Sequence, residues 1–196
     1  MNNNVIDTIL RRRSARQYLD KQLDESHLSA IIESGRAAPS GGNSRTTHFI
    51  VIRSRDTINH LAYLAKEAFS KMEADENTYK SLRNAIERSK KEGEFAFSYN
   101  APTLILTANK TGYGNAMADS ACALENMMIA ATALDVGSCW INQIHWLTDD
   151  PKMREYLLSL GLSEDEFITG GLSLGYQFSP SSPHSASSGN PVTFVR

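Results

Sequence analysis

Asn115-Ala116-Met117-Ala118-Asp119-Ser120-Ala121-Cys122-Ala123-Leu124-Glu125-Asn126-Met127-Met128-Ile129-Ala130-Ala131-Thr132-Ala133-Leu134 is the stretch on which the fold turns. Asn115 stands as an N-cap, and Gly137 is the expected left-handed stop. The surface of this helix is small and apolar on every side, with Asp119, Ser120, Glu125, Asn126 and Thr132 as the polar exceptions. A helix that is apolar all round must be covered all round. Lipid is one cover, but a span needs roughly 20 mostly apolar residues, and Asp119 and the Glu125-Asn126 pair would each cost about 2.5 kcal/mol or more in a bilayer. The stretch therefore predicts the buried central helix of a soluble domain, with a second subunit as one source of its cover. Gly137-Ser138-Cys139-Trp140-Ile141-Asn142-Gln143 follows directly, a short run of large and polar groups where a ligand can meet the end of the core.

A chain of 196 residues is most simply one domain, 1–196, long enough to bury a sizeable core. Its apolar fraction of 41% and charged fraction of 21% are those of a soluble globular protein. A formal net charge of −2 and a pI near 6.2 supply no global drive toward nucleic acid or an anionic membrane. Met1-Asn2-Asn3-Asn4 has neither the basic start nor the apolar run of a signal peptide, so a cytoplasmic location is expected. Cys122 and Cys139 read as small buried hydrophobes rather than a disulfide.

Before the central helix, Val5, Ile6, Ile9 and Leu10 recur at helical spacing and lead into Arg11-Arg12-Arg13-Ser14-Ala15-Arg16. Four arginines and a serine in six residues fit either a solvated basic patch or a phosphate clamp, because guanidinium forks match phosphate oxygens in pairs. Asp24 predicts the N-cap of a second helix, with Leu23 stapled on Leu28 and Gly35 at its end. Arg36-Ala37-Ala38-Pro39-Ser40-Gly41-Gly42-Asn43-Ser44-Arg45 is a loop whose bare glycines let backbone groups approach a flat ligand. His48-Phe49-Ile50-Val51-Ile52-Arg53 predicts a buried strand, Asp56 caps a following helix, and another helix is expected from about Thr78 to Glu92. Phe95, Phe97 and Tyr99 are core packing or a pocket lining.

Ala101 to Ala108 is a second strand, and Asp150-Pro151 opens a helix that Gly161 ends. Thr169 to Tyr176 is a third strand with close backbone approaches. Ser179 to Asn190 is serine- and proline-rich and builds no core, while Val192-Thr193-Phe194-Val195 is β-like again. Gly112-Tyr113-Gly114-Asn115-Ala116-Met117 stands between a strand and a helix, yet Met117 replaces the third glycine of a dinucleotide fingerprint and the acidic partner is missing. His27, His48, His60, His145 and His184 show no metal-ligand spacing, and there is no nucleophile elbow or Walker loop. If the chain is an enzyme, a cofactor is expected to carry the reactive atom.

In this order the signals resemble the nitroreductase family of flavin-dependent oxidoreductases. They are Arg12-Arg13-Ser14-Ala15-Arg16, Ala38-Pro39-Ser40-Gly41-Gly42-Asn43-Ser44, the Ala101-Pro102 strand, the alanine- and methionine-rich helix, Gly137 to Ile141, and Leu174-Gly175-Tyr176. The resemblance implies an α+β fold with a mostly antiparallel central sheet flanked by helices, and an intertwined homodimer with two FMN sites at its interface. It implies that the segment 179–196 is a C-terminal extension packing on the partner subunit. Carried over by motif, Arg12, Ser14 and Arg16 hold the FMN phosphate, with Arg13 close by. Pro39, Ser40, Gly41 and Asn43 contact the isoalloxazine from the other subunit, and Ile141, Asn142 and Gln143 lie along its other side. The implied activity passes hydride from NADH or NADPH through flavin N5 to nitroaromatics, quinones or similar small acceptors, with no catalytic side chain strictly required and no metal, nucleic acid or membrane involved.

Two departures qualify the match. Asn43-Ser44-Arg45-Thr46-Thr47 stands where the family often has Asn-Ser-Gln-Pro-Trp, leaving Arg45 near the flavin or its phosphate with other contacts. Ser185-Ala186-Ser187-Ser188-Gly189-Asn190 stands where the family usually offers a basic residue to the phosphate, so the clamp leans on the early arginines. An FMN carrier or sensor with little turnover, flavin fragmentation and reductive dehalogenation stay open as alternatives, as do the acceptor and the choice between NADH and NADPH. The segment from Asp56 to Tyr99 is expected to cover the pocket.

Overall fold

The structure, a computed structural model, describes residues 4–178 and 190–196. Six α-helices and four strands follow one another along the described chain: α1 (Asn4–Arg11), α2 (Glu25–Arg36), β1 (His48–Ile52), α3 (Arg55–Ser70), α4 (Lys80–Ser89), β2 (Thr103–Lys110), α5 (Ala116–Ala133), β3 (Val136–Ile141), α6 (Pro151–Ser159) and β4 (Glu166–Tyr176). The strands form one sheet in the order β1-β2-β4-β3 with every neighbouring pair antiparallel, so the expected α+β architecture holds.

Helices cover both faces of the sheet. On one face Ile50, Ile52, Leu104, Leu106, Ala108, Ile168 and Ile141 pack with Leu61 and Phe69 of α3, Ile86 of α4, and Met153 and Leu157 of α6. On the other, Ile105, Leu172, Leu174 and Val136 pack with Leu28 and Ile31 of α2 and Leu124, Met127, Met128 and Ala131 of α5. Period-two alternation sorts these side chains between the faces. In β4 a bulge resets it, because Thr107 pairs with Gly170 and Ala108 with Ile168. The extra residue, Thr169, turns its hydroxyl to the carbonyl and hydroxyl oxygens of Thr107, both at 3.0 Å.

The central helix is present, and the sheet, α2 and α1 cover most of it. Within one chain its cover is incomplete: Met117, Ala118, Cys122 and Ala133 stay exposed. Its end differs from expectation. The left-handed residue is Asp135 at φ 53°, a conformation a short polar side chain tolerates, and Gly137 already lies inside β3. Ser54 rather than Asp56 caps α3, its Oγ accepting from the Thr57 N–H at 3.2 Å. Asp150 caps α6 as expected, accepting from the Met153 N–H at 3.0 Å ahead of Pro151. Gly35 does not end α2, which continues to Arg36. Phe95 and Phe97 are core residues. The segment 190–196 has no regular structure within the single chain, and most of 179–196 lies outside the described residues.

Candidate functional site

The arginine run leaves α1 and crosses the outer edge of β3 as a strap. Ser14 bridges Ser138, the Ala15 N–H donates to the Ser138 carbonyl at 2.8 Å, and the Leu19 N–H donates to the Tyr176 carbonyl at 2.8 Å. This docking needs a bare backbone beneath it: a Cβ on Gly137 would lie 2.8 Å from the Cβ of Ala15. Arg12 and Arg13 are half-buried, whereas Ser14 and Arg16 are exposed. Arg13 folds back to donate to the carbonyls of Leu10 and Arg12. The Arg16 guanidinium carbon lies 5.7 Å from the centre of the Tyr99 ring, and a hydrogen bond to Tyr99 moves its pKa above the ordinary value.

Under the strap sit Cys139, Tyr18 and Tyr99. Burial pushes the Cys139 thiol up, opposed by the charge of Arg16, by a hydrogen bond with Ser14 and by the charge of Arg12. Burial likewise drives the Tyr18 phenol far above its ordinary range, and its hydroxyl donates to the Ala15 carbonyl at 2.8 Å. The arginines thus face a neutral floor. Among the described residues none of Arg11, Arg12, Arg13 and Arg16 pairs with a carboxylate, whereas Arg36, Arg53 and Arg55 each do; Arg83 and Arg154, which also lack one, donate to backbone carbonyls, and Arg88 lies over the Phe95 ring. Unpaired guanidinium groups gathered in a chain of net charge −2 mark a place that attracts an anion.

β3 carries the chain from this strap to Ile141, which is buried, and to the half-buried Asn142 and Gln143. Asn142 is held from two sides: its Oδ1 accepts from the Trp140 indole N–H at 2.7 Å, and its backbone N–H donates to Gln143 Oε1 at 3.2 Å. The structure therefore joins Arg12, Arg13, Ser14 and Arg16 to one strand with Ile141, Asn142 and Gln143.

Pro39, Ser40, Gly41, Asn43 and Arg45 are held elsewhere, at the N-terminal end of α5. Their loop contains a short 3-10 turn, Gly41–Asn43, and places Gly42, Asn43 and Arg45 at φ 60°, 57° and 51°. The Gly41 N–H donates to Asp119 Oδ1 at 3.0 Å, and the Tyr113 hydroxyl lies 3.0 Å from the Gly41 carbonyl and 2.9 Å from Asp119 Oδ2. Ser40 Oγ accepts from the Arg45 N–H at 3.0 Å, and Arg45 Nε donates to Asn43 Oδ1 at 3.0 Å. Pro39, Asn43 and Arg45 are exposed. The 18 residues of α5 span about 27 Å at roughly 1.5 Å each, and β3 starts only beyond its far end.

Sequence reasoning gave no site role to Tyr113 or Asp119, and it offered Tyr99 only as core packing or a pocket lining, whereas the structure puts its ring beside Arg16. The available clue for the second was an acidic residue in the first turn of an otherwise apolar helix. The histidines are structural where described: His48 Nδ1 meets Glu166 Oε2 at 2.9 Å, His145 Nδ1 meets the Ile168 carbonyl at 2.6 Å, and His27 Nδ1 meets the Tyr176 hydroxyl at 3.2 Å. Among the described residues no group of histidine, cysteine and carboxylate side chains can hold a metal, and no helix is long and apolar enough to cross a membrane.

Comparison with known proteins places this geometry. The model of the nitroreductase family matches residues 9–176. A nitroreductase of Bacteroides fragilis, crystallised with bound FMN, is 38% identical over the whole of both chains and superposes with a TM-score of 0.87. An FMN-bound nitroreductase of Desulfitobacterium hafniense shares the fold over the whole of both chains with a TM-score of 0.83 at 23% identity. A protein of Archaeoglobus fulgidus with the provisional name NADH dehydrogenase/NAD(P)H nitroreductase is 27% identical over 168 residues, 86% of this chain and 82% of that one. With the family model spanning most of the chain and the antiparallel sheet and apolar central helix present as expected, the chain belongs to the nitroreductase family.

Proposed function

We propose that this protein is an FMN-dependent oxidoreductase that takes hydride from NADH or NADPH and delivers it to nitroaromatics, quinones or similar small acceptors. The observation that carries the reading is the strap: arginines without carboxylate partners, fixed to the edge of β3 by the Ser14–Ser138 bridge. These residues fit the cofactor. A phosphate dianion needs compensating charge and several donors, and Arg12, Arg13, Ser14 and Arg16 offer both beside a floor kept uncharged by burial. When bound, FMN supplies the ring that accepts hydride and gives it up again, a chemistry no side chain here provides.

The chain's own residues bind and orient. Arg12 and Arg16 hold the phosphate with Arg13 close by, and Ser14 adds a neutral donor. Asn142 and Gln143 offer amide groups that can stabilise negative charge developing on a ring, while Ile141 gives an apolar edge. The loop from Pro39 to Arg45 offers small side chains and bare backbone to a flat ligand.

Two copies complete the site in this reading. The strap and the loop are tied to different ends of α5, so the loop of one protomer serves the strap of the other. Exposed apolar groups support this: Val5 and Leu10 of α1 are 61% and 65% exposed, Met117 of α5 45%, and Val192, Phe194 and Val195 of the tail 73%, 81% and 94%. We place the tail on the partner's sheet, which would give its β-like residues a strand to pair with.

The absorbance spectrum of the purified protein tests the reading. Yellow protein whose flavin bands bleach anaerobically on adding NADH or NADPH is expected. Colourless protein that cannot be reconstituted with FMN overturns the cofactor, and bound FMN that neither donor reduces overturns the enzyme in favour of a carrier.

A further inference from the structure

Asp119 is the anomaly of the central helix: it is only 6% exposed, whereas Glu125, the other carboxylate of the helix, is half-buried. Burying a carboxylate is costly unless hydrogen bonds satisfy it. Here they come from outside the helix: the Gly41 N–H at 3.0 Å on Oδ1, the Tyr113 hydroxyl at 2.9 Å on Oδ2 and, more weakly, the Ser44 hydroxyl at 3.4 Å on Oδ2. The Tyr113 hydroxyl also lies 3.0 Å from the Gly41 carbonyl, so its single proton serves either that carbonyl or Asp119 Oδ2, and both acceptors draw Tyr113 onto the loop.

What is held in this way is strained. Asn43 and Arg45 occupy left-handed backbone conformations, which Asn tolerates better than Arg, and within the loop Arg45 is braced by Ser40 Oγ and by Asn43 Oδ1. Such a loop keeps one shape only when its surroundings over-determine it. The fit is close as well, because a Cβ on Gly41 would stand 2.1 Å from Asn115 Nδ2 and 2.8 Å from the Tyr113 hydroxyl oxygen.

We propose that Asp119 and Tyr113 are positioning residues for the flavin: they fix the apex Ser40–Asn43 in the shape that meets the isoalloxazine, without touching the ring themselves. The proposal rests on the reading of the preceding section and adds to it where the affinity for the ring, as distinct from the phosphate, is set. Loosening the loop must weaken every ligand that carries the ring, phosphorylated or not.

The test compares FMN with riboflavin, which has the ring and no phosphate. Dissociation constants are measured by quenching of flavin fluorescence for the wild-type protein, Asp119→Asn and Tyr113→Phe. Both variants are expected to lose about tenfold for both ligands, the size of one lost hydrogen bond to a charged group, and to shift the visible bands of bound FMN. Tyr113→Phe keeps the test alive if Asp119→Asn does not fold, since Tyr113 is only half-buried. Wild-type affinities and spectra in a folded Tyr113→Phe overturn the proposal, as does a loss confined to FMN, which would put the loop at the phosphate. If the wild-type protein binds neither flavin, the cofactor reading itself falls, and that outcome is distinct from the others.

Discussion

Replacing Gly137 by alanine is expected to pry the arginine strap off the sheet. The new Cβ would lie 2.4 Å from Cγ of Gln177 and 2.8 Å from Cβ of Ala15. Both contacts are closer than packed carbons tolerate, and only the first is relieved by a flexible side chain. Relief at Ala15 requires the strap backbone to move, which breaks the 2.8 Å bond from its N–H to the Ser138 carbonyl. Overpacking of this kind costs about 1–3 kcal/mol, and the lost hydrogen bond adds about 1 kcal/mol, for a total of roughly 2–4 kcal/mol. Urea denaturation of the apoprotein reads this loss directly, and FMN titration reads its second effect, since Arg12 and Arg16 ride on the displaced segment. Gly114→Ala is the control: Gly114 has open space around its missing Cβ and no positive φ, so a change within about 0.5 kcal/mol is expected. A Gly137→Ala protein as stable as the control and binding FMN as tightly as wild type would refute the docking argument.

Other substitutions separate the parts of the site. Arg12→Ala is expected to weaken FMN binding by about 1.5–3 kcal/mol, the range for a hydrogen bond to a charged group, while riboflavin binding stays unchanged. Tyr99→Leu removes the ring under Arg16 and is expected to cost FMN about 0.5–1 kcal/mol, again with riboflavin unaffected; equal losses for both flavins would take Tyr99 out of the phosphate end. Away from the site, Glu67 of α3 accepts from Lys152 at 2.6 Å and Lys71 at 2.8 Å, bonds that hold its carboxyl at about 2, below the ordinary 4.5. Because the folded-state value is depressed, the stabilisation is present above pH 4.5 and lost as pH falls from there through about 2. Urea midpoints of Glu67→Gln across that window are expected to fall less steeply with acid than those of the wild type.

Elements announced by local chemistry were legible from the sequence alone. The paired Asp150 and Pro151 fixed the start of α6, short runs rich in aliphatic and β-branched residues marked β1 and β2, and the mostly apolar surface of α5 required a central position. β3 was hidden, because Gly137 and Ser138 form strands poorly by themselves and the strand exists through its pairing with β4 on one side and the strap on the other. Ser54 and Asp56 compete to cap α3, and local sequence does not decide between caps two residues apart. At the site the arginines showed through charge and the loop through its glycines. The grip of Asp119 on Gly41 did not, because it joins residues 78 positions apart and only the folded chain puts them together.

One helix explains how these parts are arranged. Small side chains let α5 lie against the sheet, α2 and α1 at once, but an apolar surface attracts without direction and cannot orient a loop. The single carboxylate near its start supplies that direction. At its other end the left-handed Asp135 turns the chain straight into β3, whose outer edge receives the strap. Loop and strap are therefore referenced to the same rigid rod, the loop directly at its start and the strap through β3, which follows its end. In the two-copy site proposed above, a second copy brings its own loop to the strap, so that the loop beside Asp119 and the arginines beside Ser138 serve one ring. Exposed Ala118 and Cys122 leave apolar surface on α5 for such a second copy, so the proposed two-copy site would also account for the incomplete cover of the central helix within one chain.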